Sequence, residues 1–160
     1  DNPYNKEKVI KNIKKLIKTA RENSKEVIYV RHDDGVGTEF EYGTYGWQIY
    51  DEVAPIDDDV IIEKKYNSAF HKTNLKNYLE SKGVDTIILV GLQTEYCIDA
   101  TCKSAFDLGY ELIVPEESNT TFGNEYLSGE KIYEFYNIKI WNKRFAKVLS
   151  TEDVVKHLAK

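Results

Sequence analysis

A cysteine at a strand-to-helix turn is the residue in this chain best placed for covalent chemistry. The stretch Gly91-Leu92-Gln93-Thr94-Glu95-Tyr96-Cys97 follows the apolar run Thr86-Ile87-Ile88-Leu89-Val90 and leads into Ile98-Asp99-Ala100-Thr101-Cys102-Lys103-Ser104-Ala105-Phe106. The run reads as a buried parallel strand and the segment after Cys97 as a helix. Unpaired N–H groups and the positive end of the helix dipole gather at such a turn. That field favours thiolate over thiol, and thiolate is the nucleophile. A second candidate is Lys64, which closes the apolar run Val60-Ile61-Ile62-Glu63. A lysine at the end of a buried strand can support a thiolate and shuttle protons. Each residue also has a plainer reading: Cys97 as a small hydrophobe in a tight turn, Lys64 as a surface lysine.

The elements that must position these groups alternate along the chain. Val9, Ile13, Leu16, Ile17 and Ala20 recur at helical spacing between Asn5 and Asn23, with lysines on the other face and Asn5 as cap. Residues 26–31 read as a strand. Asp33 to Asp58 is a long loop rich in glycine and aromatics, which argues for function rather than disorder. A strand at 59–63, a short helix from Asn74 to Lys82 stopped by Gly83, the strand at 86–90 and a helix from about Glu95 to Leu108 follow. Next come a strand at 110–114 ended by Pro115, a helix from Asn124 to Tyr136, a weak strand at 145–149 and a helix from Thr151 to His157 capped by Ser150 or Thr151. The alternation predicts a single α/β domain over residues 1–160, a three-layer α/β/α sandwich on a mainly parallel, Rossmann-like sheet.

Composition bounds the function. The chain has 160 residues, is 41% hydrophobic and 31% charged, and carries a net charge of -5. That balance gives no nucleic-acid footprint, and the lysines from Lys6 to Lys18 read as a solvated helix face. No apolar run approaches the roughly 18 residues a membrane span needs. Cys97 and Cys102 lie five residues apart, suited neither to a disulfide nor to a CxxC redox pair. A cytoplasmic setting is expected.

Together the segments resemble the isochorismatase-like cysteine hydrolase family, which includes nicotinamidases and N-carbamoylsarcosine amidases. The resemblance is carried by residues 27–32, Gly43-Thr44-Tyr45-Gly46-Trp47, Glu63-Lys64 with Asn67-Ser68-Ala69-Phe70, residues 91–97, residues 105–110, and Val114-Pro115 with Thr120-Thr121-Phe122. It implies an Asp–Lys–Cys triad in which Cys97 is the nucleophile and Lys64 the lysine. It also implies a non-prolyl cis peptide at Leu92–Gln93, and an oxyanion hole formed by the backbone N–H groups of Gln93 and Cys97. The family's aspartate lies on an N-terminal strand resembling Ile-Asp-x-Gln. No such segment is present, so the family's first strand is expected to be absent from this chain. Neither Asp1, Asp33, Asp34 nor Asp99 matches the family's aspartate.

The implied reaction is hydrolysis of an amide or carbamoyl C–N bond through a Cys97 thioester. The alternative is a catalytically idle relative that serves as a binding or assembly module. Phe70, Tyr96, Tyr66 and Trp47 are candidate pocket walls for a small molecule, and each is equally suited to a core or a subunit interface. The family's nicotinamidases bind a metal through an Asp and several His. His32, His71 and His157 do not reproduce that pattern, so neither metal nor cofactor is expected; His32 reads as a pocket-lining or surface residue. The resemblance implies a homo-oligomer, a dimer or tetramer.

Overall fold

The structure, a computed structural model, describes residues 2–57 and 59–160. Seven strands and five α-helices alternate along the described chain. They are α1 (Lys6–Glu22), β1 (Ile28–His32), β2 (Val60–Lys64), α2 (Leu75–Ser81), β3 (Thr86–Ile88), β4 (Gly91–Leu92), α3 (Asp99–Asp107), β5 (Glu111–Pro115), β6 (Asn119–Thr120), α4 (Gly129–Glu134), β7 (Lys147–Leu149) and α5 (Thr151–Leu158). Every strand pair is parallel: β1 with β2, β3 with β5, β5 with β7, and β4 with β6. The expected strand at 86–90 is β3 running on toward β4. Hydrogen bonds from Leu89 N to Ile113 O and from Gly91 N to Ser118 O, each 3.0 Å, carry the pairing onward.

The three layers follow from period-two alternation on the strands. On β5, Leu112 and Val114 enter a core with Ile98, Cys102, Ala105 and Trp141, while Ile113 between them packs with Leu16, Ala20, Val154 and Leu158. Ile87 and Leu89 take the first side, and Ile88 and Val90 the second. The helices α1 and α5 therefore cover one face and α2 and α3 the other. On β1 and β2, Ile28, Val60 and Ile62 face Leu75 and Leu79 of α2. By the same alternation His32 and Lys64 project to the α2/α3 side, and Tyr29, Arg31 and Glu63 to the α1 side, where Arg21 reaches the Tyr29 hydroxyl.

Several boundaries differ from the sequence expectation, each for a local reason. Asn5 precedes α1 with a left-handed backbone (φ 54°) and makes no side-chain cap. Its amide points instead toward Glu117. The helix expected from Asn124 begins only at Gly129. The Asn124 carboxamide accepts the N–H groups of Tyr126 and Leu127 in a turn that competes with helix, and Ser128 then caps α4. Beyond α4 the chain continues as a π-helical segment, Phe135–Trp141. The helix expected from Glu95 opens as a π-helical turn, Thr94–Ile98, before α3 begins. In that turn the Gln93 carbonyl accepts from the N–H of Ile98 at 3.2 Å, five residues on.

A buried polar knot holds this turn in place. The Thr94 hydroxyl donates to Asn119 Oδ1 at 2.8 Å, and Asn119 and Asn137 exchange side-chain hydrogen bonds of 2.9 and 3.1 Å. Asn137 Nδ2 also donates to the Tyr133 carbonyl. All three side chains are essentially inaccessible to water. The knot thus ties the turn to β6 and to the segment after α4. Replacing Asn137 with alanine leaves buried partners of Asn119 unmatched and is expected to cost about 1–3 kcal/mol. Chemical denaturation checks this; an unchanged midpoint would show that the knot contributes nothing.

Candidate active site

Strand register brings the site together. In the β1–β2 pair His32 lies directly beside Lys64, at the carboxyl ends of both strands. In open α/β sheets that edge is where ligands bind. Cys97, delivered by the turn after β4, completes the cluster.

Lys64 is 5% exposed, an ammonium almost withdrawn from water. Its three N–H groups meet three acceptors: His32 Nδ1 at 2.7 Å, the Tyr66 carbonyl at 2.9 Å and Cys97 Sγ at 3.1 Å. An ammonium has no lone pair, so His32 must offer one at Nδ1 and carry its proton on Nε2. That nitrogen lies 2.6 Å from Asp34 Oδ1. The result is a continuous chain, Asp34–His32–Lys64–Cys97. The Lys64 ammonium thus stands 3.1 Å from the sulfur of half-buried Cys97, where it can serve as a counter-charge.

The second cysteine shows the opposite environment. Cys102 is fully buried in the α3 core, and burial, reinforced by the charge of Asp99 and opposed by Lys103, pushes its thiol up to about 12. It is a core residue.

The segment after β2 is fastened to α3, which fixes Lys64 relative to Cys97. The Ser68 hydroxyl donates to Ser104 Oγ at 2.9 Å, and the Ala69 N–H donates to Thr101 Oγ1 at 3.0 Å. These bonds hold Ser68-Ala69, and with it the segment after Lys64, against α3. Gly91 has φ 126°, a conformation open to glycine and disfavoured for other residues, and the Leu92–Gln93 peptide is cis.

The expected pocket aromatics divide. Tyr96, 53% exposed, stands beside Cys97. Tyr66 contributes its carbonyl to Lys64, while its ring turns away to pack edge-on against His71 and under Lys72. Phe70 is not a pocket wall: it stacks on Tyr110 and fills the space between the α2 and α3 cores. Trp47 is also displaced from the expected place. Its ring lies 3.4 Å from the Arg31 guanidinium, which leaves β1 on the face opposite His32 and pairs with Glu63.

The carboxylates have other engagements. Asp33 accepts from Gly35 N–H and pairs with Lys65; Asp99 accepts from Trp141 Nε1 and Lys103. Asp1 lies outside the described residues. His71 and His157 are exposed. Among the described residues no three His, Cys, Asp or Glu side chains converge as a metal site, and both ring nitrogens of His32 are already engaged. Sequence reasoning read His32 as a pocket-lining or surface residue and did not anticipate its contacts with Lys64 and Asp34. The signal was the matching positions of His32 and Lys64 at the ends of consecutive parallel strands. A surface recess of about 350 Å³ beside α1, with Lys14, Lys18, Arg21 and Glu52 in its lining, shares no residue with this cluster.

Comparison with known proteins gives a consistent picture. The isochorismatase family protein YrdC of Bacillus subtilis is 28% identical over 98% of this chain and 86% of its own length. The N-carbamoylsarcosine amidase of an Arthrobacter species is 36% identical over 72% of this chain, which spans 41% of that protein. A crystal structure of an isochorismatase family protein superposes with a TM-score of 0.88 at 29% identity, covering 94% of this chain and 88% of that one. Residues 1–153 match the sequence model of the Isochorismatase domain, and the chain belongs to that family.

Proposed function

We propose that the protein is a cysteine hydrolase that cleaves an amide or carbamoyl C–N bond of a small molecule. The contact between Lys64 Nζ and Cys97 Sγ carries this reading. It gives the chain a charge-stabilised sulfur at the edge of a parallel sheet, and kinship with an N-carbamoylsarcosine amidase supports the bond type.

In this mechanism the Cys97 thiolate adds to the substrate carbonyl, forming a C–S bond. The carbonyl oxygen gains negative charge, which the backbone N–H groups of Gln93 and Cys97 stabilise. The C–N bond then breaks, and the nitrogen departs as ammonia or an amine after taking up a proton. Water adds to the thioester, the C–S bond breaks, and the acid and the Cys97 thiol are released. Lys64 holds the thiolate before attack. Its contacts among the described residues are His32, Tyr66 and Cys97, and the resemblance assigns removal of the thiol proton to a triad aspartate. Tyr96 is the aromatic best placed to meet a planar amide.

Two measurements test the reading. Ammonia release from a panel of N-carbamoyl and simple amide compounds should fall at least about a thousandfold in Cys97→Ala, because the nucleophile is gone. Equal, background-level release by wild type and variant would instead favour a binding or assembly module. Cysteine labelling gives the second test. Iodoacetamide at neutral pH should modify Cys97 and spare Cys102, whose raised pKa keeps it a neutral thiol from neutrality to well above pH 9 in the folded chain. Equal labelling of the two, with the fold intact, would remove the argument for an activated Cys97.

A further inference from the structure

We infer that His32 and Asp34 are positioning residues that set the location of Lys64 and, through it, the reactivity of Cys97. The inference rests on the reading of Cys97 as the nucleophile and adds a second pair of residues to it.

Three observations carry it. First, His32 Nδ1 is the nearest acceptor to the Lys64 ammonium, at 2.7 Å against 2.9 Å for the Tyr66 carbonyl and 3.1 Å for Cys97. Secondly, the strand register fixes this pair, because His32 and Lys64 are direct partners at the end of the β1–β2 ladder. Thirdly, the Asp34 carboxylate lies 2.6 Å from the other ring nitrogen, which holds the proton on Nε2 and keeps Nδ1 as an acceptor. Asp34 is half-exposed and His32 about one-quarter exposed, so this arm of the cluster reaches water while Lys64 does not.

The arrangement has a chemical consequence. Protonating His32 turns its acceptor into an N–H aimed at an ammonium 2.7 Å away. Lys64 must then leave, and the thiolate loses its counter-charge. Among the described residues, the charged groups in contact with the imidazole are Lys64 from β2 and Asp34 beyond β1, with Cys97 behind Lys64.

The test is the rate of iodoacetamide alkylation of Cys97 in the full chain at neutral pH, read by mass spectrometry. His32→Asn keeps an acceptor near the Nδ1 position but cannot be protonated. It should alkylate within about threefold of wild type. His32→Phe removes the acceptor and should alkylate about tenfold more slowly. Asp34→Ala, a change at an exposed position, should slow alkylation by about threefold and serves if the Phe variant does not fold. Wild-type rates in all the variants would overturn the inference, as would a folded Asn variant as slow as the Phe variant. Alkylation reports the hold of Lys64 on sulfur rather than turnover. A failed hydrolase assay therefore leaves this test standing, and a failed test here leaves the hydrolase reading to be judged by Cys97→Ala.

Discussion

An ammonium group taken out of water is tolerated only where its donors are met. Moving an isolated charge into a protein interior costs several kcal/mol or more, so an unpartnered lysine would give up its proton or leave. Lys64 stays because three segments converge on it: the end of β1 through His32, the turn after β2 through the Tyr66 carbonyl, and the turn after β4 through Cys97. Those segments are far apart in sequence. The same interaction that keeps the charge buried therefore also dictates where they must meet.

The rest of the fold can be understood as support for that convergence. Parallel pairing sets His32 beside Lys64 without any further device. Ser68 and Ala69 bind to α3, so the turn after β2 and the element that follows Cys97 move as one. On the far side of the turn, Thr94 is held by Asn119, and Asn119 by Asn137. Polar groups buried this deeply specify one arrangement, since a shifted turn would leave several of them unsatisfied at once. Apolar packing alone would tolerate small slips that a hydrogen-bond knot does not.

Much of this was legible in the sequence. Apolar runs with glycine and proline punctuation marked the strands, and the spacing of Val9, Ile13, Leu16 and Ala20 marked the first helix and its buried face. Cys97 and Lys64 were legible because their motifs are local. What escaped was set by tertiary pairing. His32 acquires its role from a residue 32 positions away through strand register. Asn119 and Asn137 look like ordinary loop and helix polar residues until β6 and the segment after α4 are packed together. The contact of Trp47 with Arg31 was also not legible, because Arg31 alternates with His32 on β1 and a one-residue change of parity exchanges the faces of the sheet. The π-helical turn at Thr94–Ile98 was likewise invisible to a 3.6-residue pattern, since it adds one residue to a turn without changing its composition.

The two cysteines bring these arguments to a single comparison. Cys97 and Cys102 lie five residues apart in one continuous helical segment, so neither residue type nor helix propensity distinguishes them. Cys102 points between the strands and α3, where burial favours the neutral thiol. Cys97 sits where the segment opens as a π-helical turn, half-exposed and against an ammonium. Reactivity is thus decided by which neighbour each sulfur meets. The neighbour of Cys97 is a lysine that also meets His32. The chemistry assigned to one atom consequently depends on the pairing of two strands that contain no part of the cysteine's own helix.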